Sequence, residues 1–268
     1  MVKRYLRPVR SRQFLIRRLH SLSGMIPVGV FLILHISTNL SIVASSPNHD
    51  LYQQQVDMIH SLGPLLVPVE ILFILLPIAF HAAVGVKIWY ESQPNVRHYS
   101  YLDNIRYTLQ RTTGIATLLF ILVHLYQMHW TGQPFRPAHT IAFRPDEACI
   151  STAQVMQYAR WIAPFYVLGV TAACYHFANG IWTFLITWGI TIGPRSQQIA
   201  GYACTGFGIA LTVMGLLAVR GFARFDTTID TTEPMHTPAT VEPVETSLVQ
   251  LVAPMSSVSH HVEPVRHY

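Results

Sequence analysis

Long apolar runs alternate with short polar segments along this chain, on a scale well beyond the period of an amphipathic surface helix. The runs 22–45, 65–90, 112–128, 161–192 and 199–219 carry few charges, and most reach the ~20 residues that a bilayer core requires. Inside lipid such a run satisfies its backbone donors and acceptors only as a helix. The pattern therefore predicts an all-α membrane protein with five transmembrane helices in a bundle. Three regions follow: a basic arm at 1–21, a five-helix transmembrane domain at 22–222, and a tail at 223–268. The tail is rich in Thr, Pro, Ser and Val without a helical period, which predicts disorder. The first run follows a long basic arm and outlasts a cleavable signal's apolar core, so it is expected to remain as a span.

Composition agrees with a membrane protein. Apolar residues make up 51% and charged residues 12% of 268, against roughly 25% charged in a soluble domain. Basic residues then set the orientation. Lys3, Arg4, Arg7, Arg10, Arg12, Arg17 and Arg18 precede the first span, 46–64 has none, and Arg97, Arg106 and Arg111 follow the second. The positive-inside rule puts the N-terminus in the cytoplasm and, after five spans, the tail outside. Arg136, Arg144, Arg160, Arg220 and Arg224 count the other way without outweighing the arm. The connection between the third and fourth spans is expected to be the largest ordered one. A pI near 9.2 reads as attraction to anionic lipid or a docked subunit, since the basic residues gather at a membrane border. Nucleic acid is not an expected partner, because no recognition motif for it is present. Cys149, Cys174 and Cys204 lack metal-site spacing and read as small apolar thiols.

Four histidines fall in four separate runs: His35, His81, His124 and His176. Intramembrane ionisable residues mark working sites by default, and imidazole is the commonest protein metal ligand. Four of them suggest two bis-histidine haems. At 1.5 Å per residue, His35 and His124 lie about 18–20 Å from the inner border of their helices. His81 and His176 descend about 22–24 Å from the outer border, leaving roughly 6–8 Å to the inner one in a 30 Å core. Odd helices therefore supply one level and even helices the other. Glycine stands four residues after histidine in HSLSG (20–24), HAAVG (81–85) and HFANG (176–180), on the same helix face one turn along. Such a face suits either a flat macrocycle or a close helix neighbour.

The segments RRLHSLSGMIPVGVFLILH (17–35), FHAAVGVKIWY (80–90), YSYLDNIRYTLQRTTGIATLLFILVH (99–124) and HFANGIWTFLITWGITIGPRSQ (176–197) resemble the dihaem cytochrome b subunit of succinate dehydrogenase or fumarate reductase, in its single-polypeptide five-helix form. The resemblance spans about 14–222. It implies an anchor for a flavoprotein (FAD) subunit and an iron–sulfur subunit on the cytoplasmic face of a bacterial cytoplasmic membrane. It also implies two haems b held by His35, His81, His124 and His176, and electron exchange with quinone, menaquinone in the first place. Succinate chemistry would belong to the other polypeptides, as no dicarboxylate site is visible here. The depths pair His35 with His124 at an outer haem and His81 with His176 at an inner one, so that succinate would reduce the inner haem first.

Quinone sites are less legible. Glu70, outward of His81, comes near the outer level, and either serves a quinone or faces headgroups or the Arg144 loop. Arg18, His20 and Ser21 at the inner end of the first span suit an inner quinone, a haem propionate or docking. His60 and His129 read as interfacial. Arg17, Arg18, Arg97, Arg106, Arg111 and Arg195 form an expected basic docking surface. Two other function classes fit the histidines: a proton-relay transporter, which would more often show broken helices or repeats, and a dihaem anchor of a different quinone-linked oxidoreductase.

Overall fold

The structure is a computed structural model, and it describes residues 6–45, 50–92, 102–130 and 143–227. Every regular element among them is helical: α1 (Leu6–Met25), α2 (Pro27–Leu40), α3 (Leu51–His60), α4 (Leu66–Glu70), α5 (Leu76–Tyr90), α6 (Leu102–Leu125), α7 (Ala148–Gln157), α8 (Ile162–Thr187) and α9 (Pro194–Arg224). Four helical stretches are long and apolar enough to cross a membrane: Arg12–Ala44, Gly63–Tyr90, Asn104–His129 and Pro194–Arg224. Pro145–Gln157 and Ile162–Thr187, bent by 103°, make the fifth if taken as one span. Exposed Leu34, Phe73 and Leu168 then face lipid rather than water.

Element ends follow local chemistry. Pro27 has no N–H to continue the ladder, so α1 hands over to α2 at Ile26. A π turn at Ile71–Leu75 joins α4 to α5 just before Pro77, where the proline ring crowds the preceding turn. Gly189, at φ 72°, ends α8, and the Ile190 amide closes on the Leu185 carbonyl at 2.9 Å, a left-handed helix stop that glycine adopts at little cost. The arm predicted at 1–21 is helical from Leu6, continuous in direction with the first span. Likewise the last helix is longer than its apolar run, extending to Pro194 and Arg224. The tail predicted to be disordered lies outside the described residues beyond Thr227.

Small residues set the closest helix contacts, as is usual where no water drives association. A Cβ on Gly208 of α9 would stand 2.7 Å from that of Ala178 on α8, and one on Gly215 would stand 2.5 Å from Val170. The best-buried core lies at one end of the bundle. There Tyr52 and Val56 of α3, Ala148, Cys149 and Met156 of α7, and Phe222 of α9 pack together. Asp50 caps α3 by accepting from the Gln53 amide at 2.9 Å. Gln53 in turn ties α3 to α7: its Nε2 donates to the Pro145 carbonyl at 2.7 Å and its Oε1 accepts from the Ala148 amide at 2.7 Å. Burial also keeps the Tyr52 phenol neutral, its pKa pushed up to about 12.

Candidate functional site

The bundle brings the four intramembrane histidines together as two couples, one from the first and third spans and one from the second and fourth. The rings of His35 on α2 and His124 on α6 lie 5.7 Å apart between centroids at an interplanar angle of 75°. Those of His81 on α5 and His176 on α8 lie 6.1 Å apart at 86°. A metal bonded to both imidazoles at about 2.0–2.1 Å sets such centroids on the order of 6 Å apart. No group of three or more His, Cys, Asp or Glu suited to a metal ion occurs among the described residues. Two facing imidazoles therefore suit an ion whose other donors come with it, as in a macrocycle.

Hydrogen bonds orient these rings. His81 Nδ1 donates to the His20 carbonyl at 2.9 Å, and His176 Nδ1 to the Gln110 carbonyl at 3.0 Å. His124 Nδ1 meets the Tyr166 hydroxyl at 3.3 Å, and that hydroxyl donates to Gln127 Oε1 at 3.1 Å. Each of the three spends its Nδ1 hydrogen and keeps the Nε2 lone pair for a metal, the arrangement metal-ligating histidines commonly use. His35 differs: its Nε2 takes a long 3.4 Å contact from the Asn39 amide of its own helix.

Glycines serve the couples from across the helix interface. A Cβ on Gly24 would collide with the His81 ring, and one on Gly114 would come within 2.9 Å of His176 Cε1. His20 meanwhile leans toward Gly85, whose Cβ would lie 3.3 Å from its Cε1. HSLSG and HAAVG thus clasp each other reciprocally, each glycine receiving the other helix's histidine.

The remaining candidates separate. His20 stacks on His81 at 4.0 Å and 15°, and its Nδ1 is buried without a partner, as is Arg18 Nε. Arg18 lies over the Phe14 and Trp188 rings and donates to the Thr187 carbonyl at 3.4 Å. Ser21 accepts from Trp188 Nε1 at 3.1 Å. Arg18, His20 and Ser21 consequently gather beside the His81–His176 couple, and the two orphaned donors would suit the carboxylates of a bound group. Glu70 ends α4 half-buried, and Arg144 pairs with Glu147. His60 and His129 are exposed.

The expected basic surface is smaller than the sequence implied. Arg17 and Arg195 are exposed, but Arg111 folds over Tyr107 and Arg106 over Trp182; Arg97 lies outside the described residues. Cation–π contact and carbonyl or amide acceptors inside the bundle compete with water for these guanidinium groups. Sequence reading also missed Gln110, Asn179 and Tyr166. Only Asn179 carried a signal in the sequence, as a polar residue one turn after His176 inside an apolar run; Gln110 and Tyr166 meet their histidines across the bundle, which the sequence does not show.

The family model of the succinate dehydrogenase/fumarate reductase transmembrane subunit matches residues 91–215, a stretch that includes His124 and His176. The chain is also similar to the succinate dehydrogenase cytochrome b558 subunit of Bacillus subtilis (strain 168), 36% identical over 212 residues, which cover 79% of this chain and 98% of that protein. With similarity over nearly the whole length of that relative, this chain belongs to the family of succinate dehydrogenase/fumarate reductase transmembrane subunits.

Proposed function

We propose that this chain is the dihaem cytochrome b anchor of a succinate:quinone oxidoreductase, with His35 and His124 as axial ligands of one haem b and His81 and His176 of the other. The observation that carries the reading is the pairing itself. Four histidines from four helices form two facing couples, and three of them have the Nδ1 hydrogen already committed. When bound, two such haems supply one-electron transfer between a soluble iron–sulfur partner and membrane quinone.

The chain's own residues do the rest. Each couple would hold a haem iron through both of its imidazoles and so would leave no open position for oxygen. The Gln110 and His20 carbonyls fix the tautomers of His176 and His81. Arg18 and His20 offer donors to propionate carboxylates at the His81–His176 end, with Ser21 held beside them by Trp188. That end faces the cytoplasm in this reading, where exposed Arg17 and Arg195 contribute to docking the iron–sulfur and flavoprotein subunits of a bacterial cytoplasmic membrane complex. Glu70 is the candidate for proton exchange with quinone, menaquinone first, at the other level.

A pyridine haemochrome assay with reduced-minus-oxidised spectra of the purified complex tests this. Two haems b per chain, low-spin in both oxidation states and inert to carbon monoxide, are expected. One haem per chain, or a carbon monoxide adduct in the intact complex, would overturn the reading.

A further inference from the structure

Arg106 is placed unlike an ordinary arginine at a membrane border. Such a residue normally extends its stem toward headgroups. Here the guanidinium is folded into the bundle. Its Nε donates to Asn179 Oδ1 at 3.0 Å, its Cζ lies 3.9 Å from the centroid of the Trp182 ring, and beside both sits Gly201 of α9, whose Cβ would come within 3.2 Å of an Arg106 terminal nitrogen and 3.4 Å of Trp182 Nε1. Trp182 is itself fixed by donating from Nε1 to the Gln197 carbonyl at 2.9 Å. Neither ion pair found among the described residues involves Arg106.

The contacts continue inward. Asn179, only 4% exposed, donates from Nδ2 to Gln110 Oε1 at 2.8 Å. Gln110 Nε2 donates to the His176 carbonyl at 3.0 Å, and the Gln110 carbonyl accepts from His176 Nδ1 at 3.0 Å. A cation is thus tied to one histidine through two side-chain amides. Residues 106 and 110 are one turn apart on α6, and 176, 179 and 182 are spaced by three on α8, so the two helix faces mesh. At His35 and His124 the ring contacts come instead from Asn39 and from Tyr166 with Gln127, all uncharged.

We propose that Arg106 is a positioning residue that raises the reduction potential of the haem held by His81 and His176 relative to the other haem, acting through Asn179 and Gln110. The inference rests on the ligand assignment above. Reduction adds one electron to the iron, and with no proton taken up it lowers the local charge by one. A fixed cation held in low dielectric therefore favours the ferrous form. The main-chain carbonyl of Gln110, the residue whose side chain closes the amide link, accepts the Nδ1 hydrogen of His176 and leaves Nε2 as the ligating atom.

Redox titration of each haem in the intact complex, carried in membranes, tests the proposal. A His176→Ala variant first assigns the spectral component. Arg106→Gln is expected to shift electron occupancy away from the His81–His176 haem about tenfold, equal to ~59 mV for one electron, while the His35–His124 haem moves less than about twofold. Arg106→Lys, which keeps the charge, should stay within about threefold of the wild type. Gly201→Leu, which evicts the guanidinium without removing it, should shift occupancy in the same direction as Arg106→Gln. If Arg106→Gln fails to assemble, the Lys and Gly201→Leu titrations decide by the same criteria. An unchanged potential in Arg106→Gln, or equal shifts of both haems, would overturn the proposal. If His176→Ala instead retains both haem components, the ligand assignment itself fails, and that outcome is distinct from an unchanged potential.

Discussion

Each histidine couple depends on a small number of neighbours whose removal has separable effects. Replacing His81 with Ala is expected to abolish the same spectral component as replacing His176, while either His35 or His124 removes the other. Redox difference spectra of the four variants check this, and loss of one component by both His35→Ala and His81→Ala would refute the pairing. Gly24→Ala offers a gentler probe. Its Cβ runs into the His81 ring, an overpacking of about 1–3 kcal/mol that is relieved by moving the imidazole. The His81–His176 haem should be lost or weakened in a chain that still inserts, whereas Gly206→Ala, with nothing within 4 Å of its Cβ, should leave both haems intact. The histidines were legible as single intramembrane ionisable groups, and their matched depths already named the partners. The role of Gly24 was not, because a glycine four residues after a histidine says nothing of which other helix fills the space it leaves.

At the scale of elements, the apolar runs located the spans but not their ends. Helix α6 begins at Leu102, well before the run at 112–128, because Arg106 and Gln110 find partners across the bundle on α8 rather than needing water. The stretch before the fourth span was expected to be a long connection, yet its described part contains α7 turned sharply against α8. Gln53 joins that helix to α3. Gln53→Ala would leave the buried Ala148 amide without its acceptor, a cost of about 1–3 kcal/mol. Thermal unfolding of the complex should shift down accordingly, with the spectrum of the His81–His176 haem unchanged. An undiminished melting temperature would show that the clamp contributes nothing.

For the whole molecule, the proposed orientation rests on the distribution of charge and is open to direct test. Cys149, Cys174 and Cys204 are all buried, so a single introduced cysteine can be read against them. With the N-terminus in the cytoplasm, Ser61→Cys, between α3 and α4, should react with an impermeant thiol reagent in intact cells, and Ser196→Cys, at the start of α9, only after permeabilisation. The opposite pattern would invert the proposed orientation and the docking face with it. Membrane class and helical content were legible in the sequence alone, because lipid forces backbone hydrogen bonds within each apolar run, and a fixed rise per residue converts the positions of the histidines into two depths. Tertiary structure alone decided that Arg106 turns inward, that HSLSG and HAAVG interlock, and that Asn179 and Gln110 link a cation to His176. Those outcomes depend on the rotation of one helix against another, which side-chain packing sets and hydropathy does not encode.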